Sequence, residues 1–175
     1  MKKYTVLILA LLFSLIGSAQ TLDALGYFKR GLSKATRQDH RGAIADYTKA
    51  IELQPDDLGS YYNRGNCKFE LEDYRGAIVD FTKAIEFKPD FLYAYNNRAK
   101  SKYMLGDYRG AIVDYSKVIE LKPNFSEAYD FSEAYLIRGI AKYALGDKNG
   151  ACLDLSKAGE MGSDKAYEMI REYCN

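Results

Sequence analysis

The chain has 175 residues, a formal charge of +1, one histidine and three cysteines. That length fits one domain, and a nearly neutral chain is a poor general binder of nucleic acid or anionic membranes. No Cys or His pair has the spacing of a zinc site, so the composition argues against a metal and we predict no cofactor.

Residues 1–19 have the layout of a secretory signal peptide. Lys2 and Lys3 precede an apolar run from Val6 to Ile16, and Gly17-Ser18-Ala19 then supplies the small residues that signal peptidase requires. The run is shorter than the roughly 20 residues that span a bilayer. We therefore expect residues 1–19 to be removed, leaving no stable membrane anchor and a periplasmic or secreted chain. The alternative is an uncleaved anchor or a buried first helix.

The rest of the chain repeats itself with a nearly constant step. Gly42-Ala43-Ile44 recurs at 76–78 and 110–112, which is a step of 34, and a fourth copy at 150–152 follows after a step of 40. The prolines, at 55, 89 and 123, keep the step of 34. A period of this length containing two amphipathic helical stretches is typical of a stacked array of helical hairpins. The sequence therefore predicts an all-α fold.

The repeated positions resemble those of the tetratricopeptide repeat family. An aromatic residue stands four before a glycine, and an alanine stands four before an aromatic residue, at Tyr27–Gly31, Tyr61–Gly65, Tyr135–Gly139, Ala43–Tyr47, Ala77–Phe81 and Ala111–Tyr115. The resemblance covers about residues 24–163 and implies a right-handed α-solenoid of four helix-turn-helix units. One departure is a lysine at 34, 68, 102 and 142, where the family often has an aromatic residue.

The repeats define a domain at 20–175 with units at about 24–57, 58–91, 92–125 and 132–163. The predicted helix pairs are 23–36/40–53, 58–70/74–87, 92–104/108–121 and 132–144/148–159, followed by a capping helix at about 164–173. Asp73 and Asp107 are the expected N-caps of two second helices. Arginine and aspartate recur in every unit, as in Arg64 and Asp80, which favours a structural ion pair over a binding role.

A doubled motif, FSEAYDFSEAY, separates the third and fourth units and accounts for the longer step. The second copy keeps the family spacing, so we place an insertion at 126–131. The first copy either extends the following helix backwards or forms a loop. We favour the extension, which would place Phe125 and Tyr129 at the edge of the array and offer 125–131 for self-association.

The resemblance implies that the first helices line a concave groove for a peptide or a partner's helix. Helical phase assigns to that face Phe28, Leu32, Ala35, Tyr62, Asn63, Asn66, Phe69, Tyr93, Asn96, Asn97, Lys100, Tyr103, Leu136, Ile140 and Tyr143. Asparagine offers a donor and an acceptor to an extended main chain, and tyrosine adds apolar area with a polar tip. The alternative is that these are ordinary solvated or helix-packing residues.

Some family members hold the C-terminal carboxylate of heat-shock chaperones with lysine, asparagine and arginine. The five matching positions here carry Phe28, Leu32, Asn63, Tyr93 and Asn97. Of these, Asn63 alone fits that set, so a chaperone tail is not the expected partner.

The sequence offers no set of nucleophile, base and metal that catalysis requires. His40 occupies the position of Tyr74 and Tyr108 in the following units, which indicates a packing role. We therefore predict a non-enzymatic scaffold that binds an unidentified protein or peptide in the groove. The alternatives are a structural or assembly component of a cell-envelope complex, acting through the convex face and the ends, and a carbohydrate-binding accessory suggested by the many tyrosines.

The three cysteines divide into two groups. Cys67 falls in a register of small buried residues, so we expect an inert thiol. Cys152 lies before the turn near Gly162, and Cys174 lies at a similar separation after that turn. Antiparallel packing of the two helices would bring Cys152 and Cys174 side by side, and an oxidising compartment would then allow a disulfide.

Overall fold

The computed structural model describes residues 22–121 and 131–174. Within those ranges the chain forms nine α-helices and no strand. They are α1 (Ala24–Thr36), α2 (His40–Leu53), α3 (Leu58–Glu70), α4 (Tyr74–Phe87), α5 (Leu92–Met104), α6 (Tyr108–Glu120), α7 (Ser132–Ala144), α8 (Lys148–Glu160) and α9 (Asp164–Tyr173). The predicted all-α solenoid fold is confirmed, and each helix bound lies within one residue of its predicted position.

Aspartate side chains start most of the helices. The carboxylates of Asp73 and Asp107 each accept a hydrogen bond from a backbone N–H in the first turn of α4 and α6, which satisfies a donor that has no partner inside the helix. Asp23, Asp39, Asp57 and Asp147 do the same for α1, α2, α3 and α8. The helix starts are therefore fixed locally by the sequence.

In three of the four units the helices pack closely because a glycine on the first helix faces an apolar side chain on the second, and in the third unit the buried Ala99 stands at that position. A Cβ atom added to Gly65 would lie 2.7 Å from Cε1 of Phe81, and one added to Gly31 would lie 2.7 Å from Cε1 of Tyr47. Both rings are fully buried. The glycine to aromatic relation seen in the sequence is thus a requirement for contact between the helices.

A buried aspartate holds each hairpin together. Asp80 has no exposed surface. Its two carboxylate oxygens accept hydrogen bonds from Nε and Nη2 of Arg64 at 2.9 and 2.7 Å, and Nζ of Lys68 lies 2.8 Å from Oδ2. The same arrangement recurs at Asp46 with Arg30 and Lys34, at Asp114 with Arg98 and Lys102, and at Asp154 with Arg138 and Lys142. The lysines that depart from the family pattern are the second cation of this cluster, which we call the aspartate clamp.

The contribution of the first clamp, at Asp46, to stability depends on pH. Hydrogen bonds from Arg30, and then from Lys34, hold the pKa of Asp46 below its usual value despite the opposing effect of burial. Because the folded-state pKa is lowered, the stability that this carboxylate contributes is present above its unfolded-state pKa. It is lost as the pH falls through the lowered value.

The same arginines join consecutive units. Nη1 of Arg64 donates to Oγ1 of Thr48 in the preceding unit at 3.1 Å, and Nη1 of Arg98 donates to Oγ1 of Thr82 at 3.0 Å. Arg138 makes the equivalent bond to Oγ of Ser116 at 3.0 Å, with a sequence separation of 22 instead of 16. The packing of the fourth unit on the third is therefore the same as elsewhere, although a longer segment connects them.

The structure shifts the boundary of the predicted insertion. Phe131 was assigned to the inserted segment 126–131, but its side chain is 4% exposed and lies in the core with Leu92 and Tyr115. It precedes α7 as Phe91 precedes α5 one unit earlier. The segment outside the repeat pattern is therefore 125–130, and Phe131 is not available for self-association. Whether the first copy is helix or loop concerns residues outside the described ranges.

Helix α9 covers the C-terminal end of the array. Ala166 is fully buried in a cluster with Leu136, Leu155 and Ala158. Cys152 on α8 and Cys174 at the end of α9 are joined by a disulfide, with their Cα atoms 5.8 Å apart. Cys67 is a buried free thiol. The last apolar surface of the solenoid is thus protected from water by α9, as repeat arrays require.

Removing the inserted segment should leave the fold intact. Deleting 125–130 or 126–131 yields the same chain, which returns the step between units to 34. Because the bond from Arg138 to Ser116 does not depend on the linker length, we expect the melting temperature to stay the same or rise. Thermal unfolding followed by circular dichroism tests this. A loss of several degrees with cooperative unfolding would mean that the first copy packs into the core.

Breaking the disulfide should release α9. In the chain-entropy model, a loop closed by cysteines with a sequence separation of 22 contributes about 3 kcal/mol to the free energy of unfolding. We expect Cys174→Ser to lose about that amount in urea unfolding, and a reductant to lower the stability of the unaltered chain but not of the variant. An unaltered chain that is insensitive to reductant would contradict this role.

Candidate functional site

Two neighbouring pockets lie on the face formed by the first helices of the units. The central pocket, of about 330 Å³, is lined by Asn66, Phe69, Glu70, Asn97 and Lys100 from α3 and α5. The repeat 1 pocket, of about 280 Å³, is lined by Leu32, Ala35, Thr36, His40, Asn63, Asn66, Cys67 and Glu70 from α1, α2 and α3. Because Asn66 and Glu70 line both, the pockets form one groove across the first three units.

An amide cluster borders the central pocket. Nδ2 of Asn97 donates to Oδ1 of Asn66 at 2.8 Å and to the Tyr62 hydroxyl at 3.3 Å. Oδ1 of Asn97 accepts from Nδ2 of Asn96 at 3.1 Å. Burial raises the pKa of Tyr62, and the hydrogen bonds from Asn66 and Asn97 oppose that rise. These contacts fix the orientation of Asn66. An amide NH2 group has two donors, so one N–H of Asn66 remains without a partner among the described residues.

The repeat 1 pocket exists because the first unit lacks an aromatic pair that the next two have. Phe69 packs against Tyr74 with ring centroids 5.3 Å apart, and Tyr103 packs against Tyr108 at 5.5 Å. The same register in the first unit holds Ala35 and His40. The smaller side chains leave a space walled by Leu32 and floored by Cys67.

The central pocket contains one lysine, which is paired with a carboxylate, and one glutamate without a cationic partner among the described residues. Nζ of Lys100 is paired with the Glu133 carboxylate of the fourth unit at 2.9 Å. Glu70 is exposed and has no cationic partner among the described residues. Burial raises the pKa of the Cys67 thiol to about 11, and the negative charge of Glu70 adds to the rise. The negative charge of Glu70 therefore acts on the Cys67 thiol in the repeat 1 pocket.

The structure corrects the position of Asn96. Its side chain is 6% exposed, so it orients Asn97 from beneath and does not line the groove. The register explains this burial, because the equivalent residues pack where the next unit begins: Phe28 lies against Gly59, and the ring of Tyr62 lies 4.9 Å from that of Phe91, which directly precedes α5.

The groove residues predicted in the fourth unit serve the capping helix instead. Leu136 is 9% exposed, and both it and Ile140 pack in the cluster that α9 completes. The ring of Tyr143 lies 4.4 Å from that of Tyr173. The accessible groove therefore ends before α9.

The remaining predicted residues lie on or beside the groove. Asn66, Phe69, Asn97 and Lys100 line the central pocket, and Leu32, Ala35 and Asn63 line the repeat 1 pocket. Nδ2 of Asn63 donates to the carbonyl of Gly59 at 2.8 Å, which leaves its carbonyl oxygen as an acceptor for a ligand. Tyr93 is 43% exposed. Tyr103 packs on Tyr108 and lines neither pocket.

Sequence reasoning missed Glu70, Thr36, His40 and Cys67 as lining residues. Glu70 lies four positions after Asn66 and Thr36 four after Leu32, so each continues a predicted stripe by one turn. The signal was present for these two. The sequence predicts a packing role for His40, and the structure places it at the pocket wall, with a buried Nδ1 that has no hydrogen-bond partner among the described residues.

Residues 22–121 and 131–174 contain neither a metal-binding cluster nor a membrane-spanning helix. No group of three or more His, Cys, Asp or Glu residues there could hold a metal ion. No helix in residues 22–121 or 131–174 is long and apolar enough to cross a membrane.

The chain is similar to several solved structures. It aligns with MamA at a TM-score of 0.76 and 24% identity, over 89% of this chain and 87% of that one. It aligns with the first TPR of Spaghetti (RPAP3) bound to the HSP90 peptide SRMEEVD at a TM-score of 0.63 and 26% identity, over 71% and 94%. The TPR2B domain of yeast Sti1, in its pHsp70 complex, aligns at 0.64 and 25% identity, over 69% and 97%.

Family models agree with these structures. No curated protein matches the chain. Models described as tetratricopeptide repeat match residues 24–57, 60–91 and 92–125, and α7 and α8 add a fourth hairpin that keeps the same aspartate clamp. The chain therefore belongs to the tetratricopeptide repeat family.

Proposed function

We propose that this protein is a non-enzymatic scaffold that holds an extended segment of a partner protein along the groove of its first three units. The observation that carries the proposal is Asn66. Its side chain is oriented by Asn97 and Tyr62, keeps one N–H without a described partner and lies where the two pockets meet. A main-chain carbonyl of an extended segment would complete its hydrogen bonds.

The shape of the groove suits a peptide. Two pockets of about 330 and 280 Å³ lie side by side and share Asn66 and Glu70. Alternate side chains of an extended segment point to the same side, so two of them can enter neighbouring pockets. The solved relatives from Spaghetti and Sti1 are also complexes with an HSP90 peptide and pHsp70.

The proposed partner differs from an acidic chaperone tail. Phe28, Leu32 and Tyr93 stand at positions where such a clamp needs cations or amides. Lys100, the cation of the central pocket, is already paired with Glu133.

We also propose that the protein acts outside the cytoplasm, in the periplasm or as a secreted protein. The support is the signal-peptide pattern of residues 1–19. A second support is the disulfide between Cys152 and Cys174, since disulfides persist in oxidising compartments.

A second candidate function is assembly of an envelope complex through the convex face. What favours it is a stripe of apolar side chains at one register of the second helices. Val79, Val113 and Leu153 are 61%, 66% and 73% exposed. One exposed apolar side chain per unit at the same register could contact a partner surface that follows the array.

Photo-crosslinking in the native cell separates the two functions. A photoreactive residue in place of Thr36, which lines the repeat 1 pocket, probes the groove and leaves Asn66 in place, and one in place of Val79 probes the convex stripe. We expect a discrete adduct from position 36, because a partner segment lies against it. Asn66→Ala should weaken that adduct severalfold, since a neutral hydrogen bond contributes about 1 kcal/mol.

The matched control is Gln54→Ala, which removes an exposed amide outside the groove. It should leave the adduct unchanged. An adduct from position 79 and none from position 36 would favour the assembly function and contradict the groove proposal.

A further inference from the structure

The groove combines an apolar pocket with a carboxylate that has no cationic partner among the described residues, which restricts the segment that fits. The repeat 1 pocket is walled by Leu32, Ala35 and the buried Cys67. It would desolvate an aliphatic side chain, and burial of apolar surface is the main favourable term in most protein association. The pocket has room for this side chain because Ala35 and His40 replace the aromatic pair of the next two units.

One turn along α3, the groove carries a carboxylate without a counter-ion. Glu70 lines both pockets, and the groove cation Lys100 is occupied by Glu133 at 2.9 Å. His40, across the repeat 1 pocket, is the other titratable side chain of that lining besides Cys67. Lys29 is exposed at the register of Asn63, beyond the pockets, and lines neither. The unbalanced charge in the middle of the groove is therefore negative.

We propose that the groove selects a partner segment in which a bulky aliphatic side chain stands near a lysine or arginine. The aliphatic group fills the repeat 1 pocket, and the cation pairs with Glu70 while the main chain contacts Asn66. This inference rests on the proposed groove function and specifies which kind of partner segment the groove prefers. The preferred partner is apolar and basic, the opposite of an acidic C-terminal tail.

The repeat alignment supplies variants that separate the two features. Ala35 corresponds to Phe69 and Tyr103, so a phenylalanine at 35 is a residue that the fold already accepts at this register. Ala35→Phe would fill the repeat 1 pocket and keep the Glu70 carboxylate and the asparagine side chains in the chain. Glu70→Gln would remove the charge and keep the pocket. The two halves of the selectivity can therefore be removed separately.

The test is selection of a random twelve-residue peptide library displayed on phage, using the full chain as bait. The enriched peptides should share an aliphatic residue close to a lysine or arginine. One such peptide, made with a fluorophore, is then titrated against each variant by fluorescence polarisation.

We expect Ala35→Phe to lower the affinity for this peptide by about tenfold or more. Glu70→Gln should weaken it by about two- to fivefold, because the ion pair is exposed and partly screened. The matched control is Glu86→Gln, the same charge change on the convex face of the same unit, where Glu86 pairs with Lys83. It should leave the affinity unchanged. Circular dichroism of Ala35→Phe checks that the variant is folded.

The outcomes separate this inference from the proposed function. Enriched peptides that need Asn66 but are acidic or lack a charge preference overturn the inference and leave the groove function in place. An affinity equal in the chain and in Glu70→Gln does the same. A library that yields no enriched peptide, or peptides indifferent to Asn66→Ala, contradicts the groove function and this inference together.

Discussion

The structure depends on one arginine in each unit. Arg64 binds both carboxylate oxygens of Asp80, its guanidinium lies 5.5 Å from the ring centroid of Tyr61, and Nη1 donates to Thr48 of the preceding unit. It therefore joins the two helices of its own hairpin and the hairpin to its neighbour. A buried carboxylate is costly unless it is paired and hydrogen-bonded, and Lys68 completes the pairing at 2.8 Å. The hairpin angle and the step between units are set by the same few atoms.

The groove inherits its geometry from this contact. Because the clamp fixes the first helix of each hairpin against the second, Nδ2 of Asn97 comes within 2.8 Å of Oδ1 of Asn66 on the adjacent unit. The repeated residues hold the scaffold, and the residues that differ between units make the site. Ala35 and His40 open a pocket where the neighbours have aromatic pairs, and Glu70 places a charge beside it.

The sequence was sufficient for the scaffold because its signals repeat in step. Contacts within a unit or between adjacent units determine the helix bounds, the N-caps at Asp73 and Asp107, and the pairing of arginine with aspartate. The site was predicted less well. Helical phase predicts which face of a helix a residue lies on, but not how deeply its side chain is buried. Asn96 was therefore predicted to line the groove, although its register packs against the next unit. Leu136 and Ile140 are covered by α9, a contact that belongs to the end of the array and to no repeat.

The most direct test of this account is the free energy of unfolding of Asp80→Asn in urea, measured beside Glu86→Gln on the same helix. Asp80 is fully buried between Arg64 and Lys68, so its loss leaves two cations without a counter-ion. We expect a loss of about 3–5 kcal/mol, against a much smaller loss for Glu86→Gln, whose pair with Lys83 is exposed to solvent. Equal and small losses in the two variants would contradict the claim that the aspartate clamp holds the hairpin together.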